Sequence, residues 1–459
     1  MYKPIRKPML VHTTIQRQLQ DYIGRYARNK QRAIPVNFRK LLTSYSLTNR
    51  LTHSIHPYPA KLLTHIPFFF LQNDLLSQPH DKVLDIFAGS GTVLLESIAA
   101  GRHACGVDTN PLARMISKVK TSPLHPKQLK DAANVLFQSI PFKSSIPTPD
   151  VHNIDYWYYP HIIEKLKCIS EAVWAIEDRA IRDFFFICFS KLSRDVSLAN
   201  PRLSVPVRLK SGIYPEEHFL YEKTESHRRR LKRINVTSEF IKIVDANIDR
   251  MAELWSLRDI LGNAAMVAHD ARSLIPQKHQ YSGIEDNSIQ LIITSPPYPG
   301  AQKYIRSSFL NIGWLGLEPS VNLRSLKTCT IGREELCQCE YSELLKTNIP
   351  KADRQLSKLF QLSRIRASIA AVYLVEMREV VAEIVRVLKP GGYLVLVAAN
   401  SEICKTVFKT QDFLREICLQ YGLKEQLRLI DDIQSRGLMT KRNKTAGIIS
   451  REWVHLFEK

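Results

Sequence analysis

Residues 81–100, DKVLDIFAGSGTVLLESIAA, constrain the fold of this chain more than any other stretch. The first seven read as a buried strand and the last ten as an amphipathic helix, with Gly89, Ser90 and Gly91 at the junction. Glycine lets the chain turn tightly there and lets backbone N–H groups approach a ligand at the carboxyl edge of a sheet. The pattern then recurs. HACGVD (103–108) is a second strand and ARMISKVK (113–120) a second helix; much later come MVAHD (266–270), SIQLIIT (288–294), the helix EMREVVAEIVRVL (376–388) and GYLVLVAAN (392–400). Strands alternating with helices predict an α/β fold with a mostly parallel sheet and right-handed crossovers. QLRLIDDI (426–433) and REWVHLFEK (451–459) read as two late strands.

Residues 121–264 interrupt this alternation and are far too long for an ordinary connection between a helix and a strand. They hold aromatic and helical runs (DYWYYPHIIEKL, RDFFFICFSKL) and the charge run HRRRLKR (227–233), and read as an inserted region. A second insertion is expected at 301–365. Residues 1–50 are rich in Arg and Lys with almost no acid and read as a basic N-terminal arm, leaving 51–120 and 265–459 as the framework domain.

Charge narrows the partner. The chain of 459 residues carries 65 Lys+Arg against 44 Asp+Glu, a net +21, which favours a polyanion, most simply nucleic acid. No apolar run approaches the roughly 20 residues needed to span a bilayer, and no secretory pattern follows Met1, so a cytoplasmic setting is expected. The eight cysteines are scattered; Cys329, Cys337 and Cys339 cluster without a CxxC pair, so reduced thiols and no metal are expected.

Two loops carry the chemistry. Asp108 ends the strand after the glycine turn, where a carboxylate can hold ribose hydroxyls. The turn lacks the Gly-Lys-Ser/Thr of a P-loop and a full GxGxxG, which disfavours a dinucleotide. The other loop is LIITSPPYPG (291–300): an apolar strand stops at Ser295, and Pro296 and Pro297 force a rigid turn that presents a hydroxyl, a bare carbonyl and the ring of Tyr298.

DIFAGSGT followed by GVDTNPLA resembles motif I and the acidic ribose-binding position of class I S-adenosylmethionine-dependent methyltransferases, in the form found in DNA methyltransferases that modify exocyclic amines. VAHDARSL (267–274), HPYPAKL (56–62) and LKPGGYLVLV (388–397) are similar to further motifs of that family. The resemblance implies S-adenosylmethionine as cofactor, held by Asp85, Phe87, Gly89, Gly91, Asp108 and Asp270, with Tyr58, Pro59 and Lys61 near its methionine end. It implies a class I, Rossmann-like sheet carrying an inserted DNA-recognition region. Ser295, Pro296, Pro297 and Tyr298 would then clamp a flipped-out base, two acceptors orienting its amine and the tyrosine stacking on it. Serine in the first position goes mostly with N4 of cytosine, so a site-specific DNA cytosine-N4 methyltransferase is expected, acting on double-stranded DNA and paired with a restriction endonuclease. N6 of adenine is the alternative, and a non-catalytic nucleic-acid binder on the same scaffold the second alternative. Arg228, Arg229 and Arg230, Lys303, Arg306, Arg324 and Arg436 are the candidates for contacting DNA.

Overall fold

A computed structural model describes residues 8–29, 31–43, 45–47, 49–212, 214–276, 281–300, 304–319, 322–433 and 450–459. The strands are β1 (Ile34–Val36), β2 (Lys82–Asp85), β3 (His103–Val107), β4 (Ala264–Ala268) and β5 (Ile289–Thr294). After them come β6 (Leu388–Ala398), β7 (Ser401–Ile403), β8 (Thr406–Phe408), β9 (Lys424–Asp432) and β10 (Arg451–Glu458). Eight of them form one sheet in the order β1-β9-β10-β6-β5-β2-β3-β4, and β7 pairs with β8 as a separate hairpin. β10 runs antiparallel to both of its neighbours, whereas the other pairings in the sheet are parallel. The α/β class with a mostly parallel sheet, expected from the alternating elements, is the architecture found.

The central strands are apolar almost without interruption because both faces of the sheet are covered. Leu291 and Ile293 of β5 join a core with the helices Pro8–Arg28 and His65–Leu71, while Ile289 and Ile292 join another with the long helix Arg364–Val387. Alternation puts Ile292 on the opposite face from Leu291 and Ile293, and a register shift between Ile289 and Leu291 lets Ile289 join the core of Ile292.

The N-terminal basic segment is not a loose arm. Its helix Pro8–Arg28 buries Ile15, Leu19 and Tyr26 on one face and leaves Arg17, Arg25 and Arg28 exposed on the other. β1 then adds to the sheet edge in parallel with β9, Ile34 opposite Leu429. The sequence signal missed here is periodicity: the basic residues hide an apolar stripe.

Between β3 and β4 the chain runs through helices, among them Pro126–Ser139, Pro160–Trp174, Arg179–Asp195, Tyr221–Lys232 and Val236–Trp255. Their apolar faces share one core with Leu94, Leu95 and Ile98 of the helix Thr92–Ala99 and with Leu112 and Ile116 of the helix Pro111–Lys120. Phe184, Phe185, Phe186 and Phe189 are all buried in it. Polar ties supplement the packing: His56 Nε2 lies 3.0 Å from Ser190 Oγ, and Asn247 Nδ2 donates to the Ile55 carbonyl at 3.0 Å. No helix among the described residues is long and apolar enough to cross a membrane.

Glu425 on β9 fastens the N-terminal helix to the sheet. Its carboxylate accepts from Tyr26 Oη at 2.6 Å and Arg415 Nε at 2.8 Å, with His455 Nδ1 at 2.9 Å. Burial alone would raise this carboxyl, but the hydrogen bonds from His455, Tyr26 and Arg415 outweigh it and hold its pKa at about 2. A carboxyl whose pKa is lowered by folding stabilises the fold above its unfolded value and loses that contribution as pH falls through the folded one. Glu425→Gln is therefore expected to lower stability at pH 7 by about 3 kcal/mol. The gap between variant and wild type in urea denaturation should narrow as pH falls from about 4.5 toward 2.

Candidate active site

The strand order reverses between β2 and β5: β3 and β4 lie on one side of this pair, β6 and the late strands on the other. A crevice opens at the carboxyl ends of strands at such a switch point, and ligands of open α/β sheets bind there. Thr294, the last residue of β5, donates its hydroxyl to Asp85 Oδ1 at 2.7 Å, and Asp85 is the last residue of β2. The Phe87 N–H donates to the same oxygen at 3.1 Å. Burial nevertheless dominates and pushes the Asp85 pKa up to about 7.

The glycine turn follows. Gly89 and Gly91 adopt φ of 51° and 72°, the left-handed region that other residues reach only with strain. A Cβ on Gly91 would stand 2.8 Å from Ser117 Oγ and 3.1 Å from Ser117 Cα. Ser117 Oγ in turn donates to the Gly89 carbonyl at 2.9 Å, which fixes the turn from outside. Asp108 closes it from the next strand, one oxygen accepting the Gly89 N–H and the other the Asn110 N–H, each at 2.8 Å. Burial raises the Asp108 pKa despite these donors. The Tyr58 ring lies 3.6 Å from where a Gly89 Cβ would be, and its hydroxyl accepts from Asn110 Nδ2 at 3.1 Å.

Tyr58, Phe87, Gly89, Asp108 and Asn110 line one cleft together with Ser295, Pro297 and Tyr304. Sequence reasoning named six of these eight. Asn110 had a legible signal, since an Asn before Pro is a helix N-cap, and here Oδ1 accepts the Leu112 N–H. Tyr304 had none, because it arrives from a helix (Tyr304–Trp314) whose placement depends on long-range packing. Thr294 was hidden as an ordinary strand-end residue.

The remaining sequence candidates lie elsewhere. Asp85 and Gly91 sit beneath the cleft and shape it, and Pro296 is buried in the loop. Pro59 is outside the walls, and Lys61 Nζ turns to the carbonyls of His53 and His56 at 3.2 and 2.9 Å, its pKa lowered by burial to about 8. Asp270 is gripped by Arg272, whose other end bonds Glu376 at 3.0 Å, although the adjacent Ala271 lines the cleft. Tyr298 is 9% exposed and faces β10, donating its hydroxyl to Glu452 at 3.2 Å. Gly332 clasps the same loop, its carbonyl accepting the Gly300 N–H at 3.1 Å. The rings that do face the cleft are Tyr58, Phe87 and Tyr304.

On the helix Tyr221–Lys232, Arg228 pairs with Glu225, Arg229 with Glu222 and Arg230 with Glu239, so the three arginines of the run each have an acidic partner in place. Arg306 and Arg324 line a second cleft that shares Tyr304, Ile305 and Thr330 with the first. Lys303 and Arg436 fall outside the described residues.

The walls suit a cationic nucleoside ligand such as S-adenosylmethionine. The glycine turn exposes backbone, Ser90 Oγ is buried without a partner, and two carboxyls, Asp85 and Asp108, are held above their ordinary pKa where a positive charge would draw them down. Without such a charge Asp85 is a burden. A carboxyl raised by folding contributes stability that is full below its unfolded value, near 3.8, and lost as pH rises through about 7. Asp85→Asn in the ligand-free protein is therefore expected to be more stable than wild type at pH 8, by up to about 4 kcal/mol. Urea denaturation should show the two converging toward pH 4.

Residues 7–118 match the family model described as DNA methylase (N6_N4_Mtase). The Type II methyltransferase M.MvaI of Kocuria varians is 25% identical over 87% of this chain and 87% of its own length. The Type II methyltransferase M.BsoBI of Geobacillus stearothermophilus is 20% identical over 92% and 88%. A solved SAM-dependent methyltransferase from Methanosarcina mazei aligns over 84% of this chain and 94% of its own at 11% identity, with a TM-score of 0.28, too distant to bear on function. With the parallel sheet, its single antiparallel strand β10 and the glycine turn at the switch point, these matches support a DNA methyltransferase of the N4/N6 amino-methylating family with S-adenosylmethionine as cofactor.

Proposed function

We propose that the protein methylates the exocyclic N4 of cytosine at a specific site in double-stranded DNA, taking the base out of the helix to do so. One observation carries this reading: Ser295 and Pro297 line the same cleft as Gly89 and Asp108. An amine clamp and a nucleoside cradle thereby open on the same space. The Type II names of the relatives fit a role beside a restriction nuclease, and the choice of cytosine rests on serine at the first position of the SPPY loop.

S-adenosylmethionine, when bound, supplies an electrophilic methyl group. The chain supplies geometry. An exocyclic amine is a poor nucleophile because its lone pair is conjugated into the base. Acceptors aimed at its two N–H bonds orient the nitrogen and favour tetrahedral geometry, and Ser295 Oγ with the Pro296 carbonyl is such a pair. Pro296 and Pro297 keep the pair stiff, and the bonds of Tyr298 to Glu452 and of Gly300 to Gly332 brace the loop from behind. Tyr298 thus acts on the amine through the loop, and Tyr304 or Phe87 provides the ring surface against which an extruded base rests.

Ser295→Ala removes one acceptor and leaves the glycine turn untouched. Turnover on DNA should fall on the order of 10²–10³-fold, while calorimetry shows cofactor affinity within about twofold of wild type. Digestion of the methylated product should yield N4-methylcytosine. N6-methyladenine would move the target to adenine with the same clamp, and 5-methylcytosine or full activity of Ser295→Ala would exclude the mechanism.

A further inference from the structure

The second cleft does not end at Arg324. Ile305, Arg306 and Lys327 also line a third hollow, whose far side is built by Tyr156, Trp157 and Arg208 of the 121–264 region. The three clefts therefore form one continuous groove that leads away from Ser295. Its lining brings Tyr304, Tyr156, Trp157 and Phe309 together with Arg306, Arg324, Lys327 and Arg208, the combination that holds nucleic acid by stacking and charge, and the second cleft also carries Glu334, Glu335 and Glu340. Among the described residues no acid pairs with Arg208, Arg306, Arg324 or Lys327, in contrast to the neutralised arginines of the helix Tyr221–Lys232.

Arg208 differs from the other three. Its guanidinium lies 4.5 Å from the centroid of the Tyr156 ring, so the planar fork is held in one orientation. Its backbone is equally fixed: Arg208 bridges Ala199, the Asn200 N–H donates to the Val207 carbonyl at 2.7 Å, and the Leu209 N–H donates to the Leu198 carbonyl at 2.8 Å. Leu198 is itself bonded to the Trp157 carbonyl at 2.7 Å. Val207 and Tyr156 beside it are 45% and 41% exposed, so the knuckle presents apolar surface next to the guanidinium. A braced arginine on an exposed apolar knuckle suits base edges, whereas unbraced cations suit phosphates.

Resting on the DNA-methylating function, we propose that this groove is the track of the DNA, with Arg306, Arg324 and Lys327 on phosphates and Arg208 reading a guanine edge. The specificity-determining element is then the 199–209 knuckle rather than HRRRLKR.

The test uses the full chain, labelled S-adenosylmethionine and a duplex library randomised around the methylated base. Arg208→Lys keeps the charge but loses the fork. It should leave the salt dependence of DNA binding unchanged while discrimination at one base pair falls about 10- to 100-fold. Lys327→Ala should weaken binding to all sequences alike and reduce the slope of log K against log salt by about one. Circular dichroism confirms that each variant is folded, and Arg208→Gln serves as a second probe of the fork should Arg208→Lys not fold. If wild type methylates DNA but both Arg208 variants keep full discrimination, the assignment of Arg208 is overturned. Neutralising Arg228, Arg229 and Arg230 together would also overturn the track if it flattened the slope while Lys327→Ala did not. Wild-type protein that methylates no duplex would instead remove the underlying function.

Discussion

A hydroxyl from Thr294 on a buried Asp85 carboxylate joins the ends of β2 and β5, and the active-site geometry hangs on that junction. The two residues are distant in sequence, and the contact exists only because the strand order reverses between their strands. From one end of the pair springs the glycine turn and from the other the SPPY loop. Any shift of β5 along β2 would move Ser295 relative to Gly89, so register and chemistry are set by the same pairing, Val83 with Leu291 and Leu84 with Ile292. Asp85 is held there at an energetic cost, protonated over much of the range in which a surface aspartate would be ionised. Unfavourable burial of this kind is common where a site awaits an opposite charge.

A second polar centre lies one turn behind the first. Glu96, fully buried on the helix that follows the glycine turn, accepts from Arg50 and approaches His53 Nε2 at 2.7 Å. Burial alone would raise its carboxyl, but the Arg50 charge and the His53 bond outweigh it and keep its pKa low. His53, neutral because burial lowers its pKa to about 4, is a donor to this carboxylate. The segment 50–56 is thereby anchored to the glycine-turn helix, which places Tyr58 over Gly89. On its other side His56 meets Ser190, and Asn311 Nδ2 donates to the Ser190 carbonyl at 2.7 Å. One chain of polar contacts thus links the cofactor wall, the 121–264 helices and the helix that carries Tyr304 and Arg306. The same bonds therefore tie the cleft that holds Gly89 to the one lined by Arg306.

What could be read from the sequence was local. A strand that stops at glycine or at Ser-Pro-Pro announces itself through backbone chemistry, and β2, β3, β5, β6, β9 and β10 all lie where alternation places them. Phe87, Gly89, Asp108 and Ser295 could be named because each lies in a short motif at the end of a strand. Residues positioned through tertiary contacts were not legible. Tyr298 follows Pro297 in every reading of the loop, yet a carboxylate on β10, 154 residues on, draws its hydroxyl out of the cleft. Asp270 ends the expected strand, yet Arg272 two residues later claims it. The amphipathic stripe of residues 15–26 was masked by the basic residues on its outer face.

Charge teaches the same lesson at larger scale. A net +21 favours a polyanionic partner, but it cannot say which cations meet it. HRRRLKR is the densest run in the chain and the obvious candidate, yet a helix that brings Glu222 and Glu225 within one or two turns of Arg229 and Arg228 satisfies those charges internally. Arg306 and Arg324 can be named from their nearness to the SPPY loop, whereas Arg208 and Lys327 draw no attention in the sequence. Folding gathers all four along one groove that opens beside Ser295, and it leaves them without acidic partners among the described residues. Exposed ion pairs contribute little to stability, so the fold gains almost nothing from either arrangement. The difference matters for binding alone: a cation already paired must give up its acid before it can release a counterion from phosphate, whereas an unpaired one need not.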